Sequence, residues 1–169
     1  MKYTKAKKKV LSIHGVYSEQ VDALHSKTIS TAAKITETKV LEWADKLTTD
    51  SKIVKKIYKE KSNVDFEFFY APLDIKKFEK LKNVEKKEKQ IIFIGRDSYE
   101  KGIDILKGIE SKIDAKIIYC TDMKWEDAME NLKASSLLVI PSRMESIPQV
   151  IKEAFYLKIP IIATNVGGI

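Results

Sequence analysis

The chain has 169 residues, 44% of them hydrophobic, and a net charge of +7 from 31 basic and 24 acidic side chains. This length suits one domain or a piece of a larger protein, and the hydrophobic content suits an ordinary globular core. The single cysteine, Cys120, excludes an internal disulfide, and its apolar surroundings predict a buried core position. The basic balance favours phosphate-rich ligands, acidic membrane surfaces or nucleic acid without choosing among them.

The first third of the chain predicts a strand and then a long or broken helix. Residues 1–9 hold five lysines, and no apolar stretch long enough for a signal peptide or a membrane span follows them. They predict a solvated lead-in, with weak attraction to anionic lipid as the alternative. The run KVLSIHGV predicts a buried strand with His14 at its end. A histidine without other catalytic or metal-binding residues near it in the sequence usually has a structural role. Residues 18–43 predict the helix, with His25 on its surface or in packing.

The next segments predict two further strands around a helix. DKLTTD predicts a short strand, and we expect Asp50 or Ser51 to cap the helix SKIVKKIYKE. The aromatic, alternating run VDFEFFY predicts another strand, which Pro72 ends. Residues 76–89 hold seven lysines and three glutamates with few apolar positions, a composition that predicts a surface linker and a domain boundary.

A glycine and two cationic side chains follow the next predicted strand. QIIFIGRDSYEKG gives a five-residue apolar strand, then Gly95, Arg96 and, at the start of a helix, Lys101. Glycine lets the backbone approach a ligand closely, while Arg offers a planar fork and Lys a point charge for phosphate. A strand around Ile117 and a helix from Trp125 to Lys133 come next.

The central unit is a strand, a sharp loop and a helix. SSLLVI predicts a buried parallel strand, and Pro148 is expected in the first turn of the helix that follows. The predicted apolar face of that helix consists of Ile147, Val150, Ile151, Ala154 and Phe155. Its N-terminus would favour an anion such as a diphosphate, with Glu145 in the loop and Glu153 on the flank of the apolar face. The two carboxylates could also be simple helix-dipole partners.

These segments together resemble the family 4 glycosyltransferases of the GT-B fold. The matching pieces are GRDSYEKG, PSRMES, EAFYLKIPIIAT, NVGGI and the pair Glu145 and Glu153. The resemblance implies transfer of a sugar from a nucleotide diphosphate donor with retained configuration. It also implies that Arg96 and Lys101 hold the diphosphate, that Glu145 contacts the transferred sugar, and that Glu153 binds the ribose hydroxyls.

The resemblance gives a set of expected site residues. The catalytic candidates are Glu145, Arg96, Lys101 and, because this strand end faces the cleft in the family, His14. The donor-binding candidates are Gly95, Arg96, Lys101, Ser146, Ile147, Pro148, Gln149 and Glu153. No metal or cofactor is expected, because the cations and the helix dipole can neutralise the diphosphate.

The expected fold class is α/β, a Rossmann-like doubly wound parallel sheet of the GT-B type that is incomplete at both ends. Residues 1–75 are interpreted as a remnant of the acceptor-side domain with its crossover, and 90–169 as a truncated nucleotide-sugar-binding domain after the linker. The family often has glycine where this chain has Ser146 and usually glycine in place of Lys158. It also normally has another strand and helix after the GRDSYEKG unit, so the nucleotide base is not identified.

The sequence thus predicts a glycosyltransferase, present as a fragment or a reduced enzyme. The expected partners are a nucleotide sugar, a glycan or lipid-linked acceptor and a second copy of the chain, in the cytoplasm or at the inner membrane face. A noncatalytic nucleotide-binding or partner-docking module is the first alternative. A nucleic-acid-binding protein is the second, ranked last because the lysines lack interleaved aromatic residues.

Overall fold

The structure is a computed structural model that describes residues 5–24 and 26–169. The chain divides into two compact units, formed mainly by Met1–Ala71 and by Pro72–Gly167. The start of the lysine-rich segment and the expected surface or packing position of His25 lie outside the described residues. Within the described part of the chain, no helix combines the length and the apolar character needed to cross a membrane.

The first unit contains a three-stranded parallel sheet in the order β1-β2-β3. Its elements are β1 (Val10–Ser12), α1 (Tyr17–Leu24), α2 (Lys27–Leu41), β2 (Lys46–Thr49), α3 (Lys52–Ser62) and β3 (Glu67–Phe68). Its core is a cluster of five buried apolar side chains: Val16, Leu41, Val54, Tyr58 and Phe66. A parallel sheet is confirmed in this unit, as the sequence predicts.

Two details of this unit differ from the sequence prediction, and two agree with it. Of the expected buried strand KVLSIHGV, only the three residues of β1 form a strand. It lies at the edge of the sheet, and Val10 is 61% exposed. The expected strand VDFEFFY keeps only the two residues of β3. The broken form of the long helix is confirmed by α1 and α2. Ser51 caps α3, since its hydroxyl accepts a hydrogen bond from the Val54 amide at 3.4 Å.

The second unit contains a four-stranded parallel sheet in the order β5-β4-β6-β7. Its elements are α4 (Ile75–Phe78), β4 (Lys87–Ile94), α5 (Ile103–Ile109), β5 (Lys116–Cys120), α6 (Trp125–Ala134), β6 (Ser135–Ile140), α7 (Gln149–Tyr156) and β7 (Ile161–Ala163). Cys120 is buried, as expected, and this burial raises the pKa of its thiol to about 11.

Helices pack on both faces of this sheet, because successive residues of a strand point to opposite sides. Ile92 of β4 belongs to one core cluster with Met129 of α6 and Ala154 of α7. Its neighbour Phe93 belongs to a second cluster, with Leu106 of α5. The expected doubly wound α/β arrangement is therefore confirmed.

Three local expectations in this unit need correction. The expected linker at residues 76–89 contains most of α4 and the start of β4, and Phe78 is buried in the core because α4 packs there. Pro148 is the residue before α7, in an extended conformation, and not in its first turn. Phe155 is 68% exposed, because it lies about 100° around the helix from the buried Ala154.

Gly102 is the point of closest approach between two segments of the second unit. It has a φ of 66° between the 3₁₀ turn Tyr99–Lys101 and α5. A Cβ at this position would lie 2.0 Å from the carbonyl oxygen of Pro141, just after β6. Only glycine fits both the left-handed conformation and the contact.

We predict that Gly102→Ala lowers the free energy of unfolding by about 2 kcal/mol or more, because left-handed backbone strain and a backbone clash add together. The control is Gly108→Ala in α5, where a Cβ would meet nothing within 4 Å. It should be neutral or stabilising by up to about 1 kcal/mol. Urea unfolding followed by circular dichroism measures both, and equal effects would contradict the proposed contact.

Candidate functional site

The candidate site lies at the carboxyl ends of β4 and β6, which are neighbours in the sheet. The chain goes from β4 to β5 on one side, while β6 lies on the other side of β4. Connections leave in opposite directions at such a switch point, and ligands of open α/β sheets bind in the crevice beside it. The loop after β4 holds the GRDSYEKG sequence and the loop after β6 holds PSRMES.

An ion pair joins these two loops. The ammonium of Lys101 lies 2.5 Å from Oε1 of Glu145, and their side chains are 22% and 9% exposed. The hydroxyl of Ser142, a residue that is 2% exposed, donates to the same carboxylate oxygen at 2.9 Å. A carboxylate that is largely buried is thus compensated by one cation and one hydroxyl.

Arg143, in the loop after β6, forms further contacts with the loop after β4 and with α5. Its guanidinium makes a two-pronged contact with Asp104 of α5, with both N–H···O distances at 2.7 Å, and donates to the carbonyl of Tyr99. It also lies 4.2 Å from the centroid of the Tyr99 ring. The hydrogen bonds from Arg143 hold the pKa of the Asp104 carboxyl below its usual range. The backbone amide of Arg143 donates to the carbonyl of Glu100 at 2.8 Å.

The segment after β7 supports the loop from a third strand. Gly167 has a φ of 58°, and a Cβ there would lie 1.7 Å from the carbonyl oxygen of Glu145. The hydroxyl of Thr164 donates to the carbonyl of Ser142 at 2.5 Å. The NVGGI sequence therefore packs directly against the backbone that carries Glu145.

Gly95 and Arg96 begin the loop after β4. The Gly95 amide donates to the carbonyl of Cys120 at 3.2 Å, and a Cβ on Gly95 would lie 3.7 Å from the methylene stem of Lys101. The Arg96 side chain is 73% exposed and donates to Glu100 at 2.9 Å. Arg96 therefore shares the loop with Lys101 but pairs with a different carboxylate.

The start of α7 presents backbone amides without a side-chain cap. Pro148 is the N-cap residue and is buried, while Gln149 opens the helix and is exposed. Ile147 is half-buried beside Ser146. The Ser146 hydroxyl is buried and has no hydrogen-bond partner among the described residues, although buried hydroxyls ordinarily have one. A helix start without a side-chain cap and an unpaired hydroxyl together suit an anion with several oxygens.

Glu153 lies in the fifth position of α7 and contacts a residue that the sequence did not single out for the site. The indole Nε1–H of Trp125, the first residue of α6, donates to Oε1 of Glu153 at 2.7 Å. The contact joins positions 28 residues apart, so no local pattern could indicate it. Ser142 and Arg143 were missed as well, although both stand within the PSRMES sequence.

His14 belongs to the first unit and has two hydrogen-bond partners there. Its Nδ1 lies 3.0 Å from Oδ1 of Asp50, and its Nε2 lies 3.1 Å from the hydroxyl of Ser12. The Asp50 side chain is 6% exposed and that of His14 is 60% exposed. The structure thus gives His14 a satisfied local setting, and its approach to a sugar stays a prediction.

The structure brings Lys101 and Glu145 into contact and places Gly95, Arg96 and Ser146 in the same two loops. The roles of these residues, and of Ile147, Pro148, Gln149 and Glu153, in binding a ligand stay predictions. In the described ranges, 5–24 and 26–169, no group of three His, Cys, Asp or Glu residues is arranged to hold a metal ion. Positive charge in the two loops comes from Arg96, Lys101 and Arg143, and the start of α7 adds the positive end of its helix dipole.

A model of the glycosyl transferases group 1 family matches residues 73–169. An uncharacterized glycosyltransferase of Methanocaldococcus jannaschii is 26% identical over 190 aligned positions, which cover 92% of this chain and 49% of that protein. The fold is similar to sucrose-phosphate synthase of Thermosynechococcus elongatus, with a TM-score of 0.72, 16% identity and coverage of 94% and 50% of the two chains. It is also similar to WaaG, a glycosyltransferase involved in lipopolysaccharide biosynthesis, with a TM-score of 0.61, 14% identity and coverage of 95% and 57%. The chain therefore spans about half the length of these proteins.

We predict that Lys101→Met lowers the free energy of unfolding by about 2 kcal/mol, because it leaves the largely buried Glu145 carboxylate without its cation. The double variant Lys101→Met/Glu145→Gln should recover most of this loss. Lys107→Met is the matched control, since its ion pair with Asp97 is exposed and contributes at most about 1 kcal/mol. Additive losses in the double variant, measured by urea unfolding, would show that the two groups do not depend on each other.

Proposed function

Because its family model covers more than half of the sequence, the chain belongs to the glycosyl transferases group 1 family, and we propose that its second unit binds the nucleotide diphosphate of a sugar donor. The binding site is the crevice at the carboxyl ends of β4 and β6. The observation that carries this proposal is the contact of Lys101 with Glu145 across the two loops. This contact lies at the switch point where α/β sheets bind nucleotides, and it supports roles for Lys101 as a phosphate-binding cation and for Glu145 as the carboxylate that orients the sugar.

The diphosphate in this proposal is held by side chains and by backbone amides. Lys101 supplies a point charge and Arg96 a planar fork, and both exchange a carboxylate partner for phosphate oxygens. The uncapped amides at the start of α7 and the Ser146 hydroxyl provide further donors. The ribose hydroxyls bind to Glu153, farther along α7.

The proposed reaction transfers the sugar to an acceptor hydroxyl with retained anomeric configuration. The bond from the sugar to the donor phosphate breaks, a bond from the sugar to the acceptor oxygen forms, and the hydroxyl proton of the acceptor goes to an oxygen of the departing diphosphate. Negative charge develops on the diphosphate during this step, and preorganised cations and amides stabilise it. Removing one such donor typically costs about 3 kcal/mol of transition-state stabilisation. Glu145 orients the sugar in this scheme.

The acceptor side of the proposal concerns the whole enzyme. A glycan or lipid-linked acceptor is proposed, with a cytoplasmic location at the inner membrane face, which the net charge of +7 favours. Because the chain spans about half the length of its relatives, a nucleotide-binding module without transfer activity is the second candidate.

The test is calorimetric titration of the chain with UDP, GDP and ADP. We predict that one nucleotide binds and that Lys101→Met weakens its affinity by about 10- to 100-fold, since a hydrogen bond to a charged group contributes about 1.5 to 3 kcal/mol. Lys107→Met is the control with an unchanged affinity. Binding of none of the three by the folded chain would contradict the proposal.

A second measurement separates the two candidate functions. Each donor sugar of the nucleotide that binds is incubated with the chain and with acceptors that carry free hydroxyl groups, and the products are analysed by mass spectrometry. Transfer that is lost in Glu145→Ala supports the enzyme. Tight nucleotide binding with no product from any donor and acceptor supports the binding module.

A further inference from the structure

The indole of Trp125 donates a hydrogen bond to Glu153, a residue of the proposed donor site. Its Nε1–H donates to Oε1 of Glu153 at 2.7 Å, in a partly buried setting. Trp125 opens α6, whereas Glu153 lies in the middle of α7, so the bond connects two helices that pack on the same face of the sheet. Glu153 is the carboxylate that the proposed function assigns to the ribose.

The indole is held by aromatic packing, so its N–H group has a fixed direction. Phe78 contacts the Trp125 ring edge to face, with ring centroids 4.9 Å apart and an interplanar angle of 85°. Phe78 is 8% exposed and also packs against Tyr156 of α7, at 4.6 Å between centroids. The ammonium of Lys77 lies 5.8 Å from the centroid of the indole ring. The tryptophan is therefore oriented before any ligand arrives.

A carboxylate has two oxygens with about four acceptor positions, and the indole occupies one of them. The bond limits the rotation of a flexible side chain that would otherwise lose rotamer freedom when a ligand binds. The positions that remain suit two neighbouring hydroxyl donors, which a ribose offers and a 2′-deoxyribose does not. A preoriented carboxylate thus selects for the intact diol.

We propose that Trp125 is a positioning residue that fixes the Glu153 carboxylate for the ribose diol and so favours ribonucleotides over 2′-deoxyribonucleotides. This role rests on the proposed function of the second unit as a donor-nucleotide site. A merely structural Trp125 would affect folding or all ligands equally. A positioning Trp125 acts only through Glu153 and only on ligands with the diol.

The test compares Trp125→Phe with wild type in calorimetric titrations of the nucleotide diphosphate that binds, its 2′-deoxy form and inorganic pyrophosphate. Phenylalanine keeps an aromatic ring against Phe78 but removes the N–H donor. The expected result is about tenfold weaker binding of the ribonucleotide, with binding of the other two ligands changed less than twofold. In a Glu153→Ala background, Trp125→Phe should cause no further loss. Trp43→Phe, a change at the other tryptophan, is the matched control with no effect.

A second variant tests the same hydrogen bond if Trp125→Phe does not fold. Incorporating 3-benzothienylalanine in place of tryptophan in the Trp43→Phe background replaces only the N–H of Trp125 by sulfur, with nearly the same ring shape. It should give the same selective loss. Equal weakening of the deoxynucleotide, or losses that add to those of Glu153→Ala, would overturn the role of Trp125 alone. Failure of the folded wild type to bind any nucleotide would overturn the proposed function and this role with it.

Discussion

The pairing of Lys101 with Glu145 is the interaction on which the site depends. It joins the loops after β4 and β6, and both partners are mostly shielded from solvent. A carboxylate in such a place needs a cation and hydrogen-bond donors, and Ser142 provides the second of these. The contact exists only because the parallel sheet places β4 beside β6, so that both carboxyl ends meet at one edge.

Several residues around the Lys101–Glu145 pair hold the two loops in position without contacting either partner's charged group. Gly102 and Gly167 leave space for two backbone carbonyls, those of Pro141 and Glu145, where any side chain would clash. Arg143 adds a two-pronged contact with Asp104. Gly102 of the GRDSYEKG sequence and Gly167 of the NVGGI sequence therefore have a packing reason, beside any role in approaching a ligand. Within this scaffold, Lys101 and Arg96 are the cations that exchange a carboxylate for phosphate oxygens in the proposed function.

Local patterns predicted the elements of the chain better than its long-range contacts. β6 has the bounds that the apolar run before Pro141 indicates, and the cap at Ser51 follows from one residue type at a helix start. Phe155 is exposed although it belongs to the predicted apolar face of α7. The spacing of apolar residues locates that face, but it does not show how much of the face other elements of the fold cover. Trp125, which donates to Glu153, lies 28 residues from it, and Asp50, which pairs with His14, lies 36 residues from it, so only the folded chain brings these pairs together. The family resemblance supplied the candidate site residues, and the structure adds the contacts that hold them in place.

Titration of isotope-labelled protein with inorganic pyrophosphate, followed by amide chemical shifts, shows whether the loops after β4 and β6 form an anion site. Pyrophosphate carries the charge of the donor without its base or sugar, so it tests the anion site alone. We predict saturable amide shifts concentrated at residues 95–102 and at Ser146, Ile147, Gln149 and Val150, and smaller shifts in Lys101→Met. Weak shifts spread over the exposed lysines of both units, without saturation, would contradict it, because they would indicate only general attraction to a basic surface.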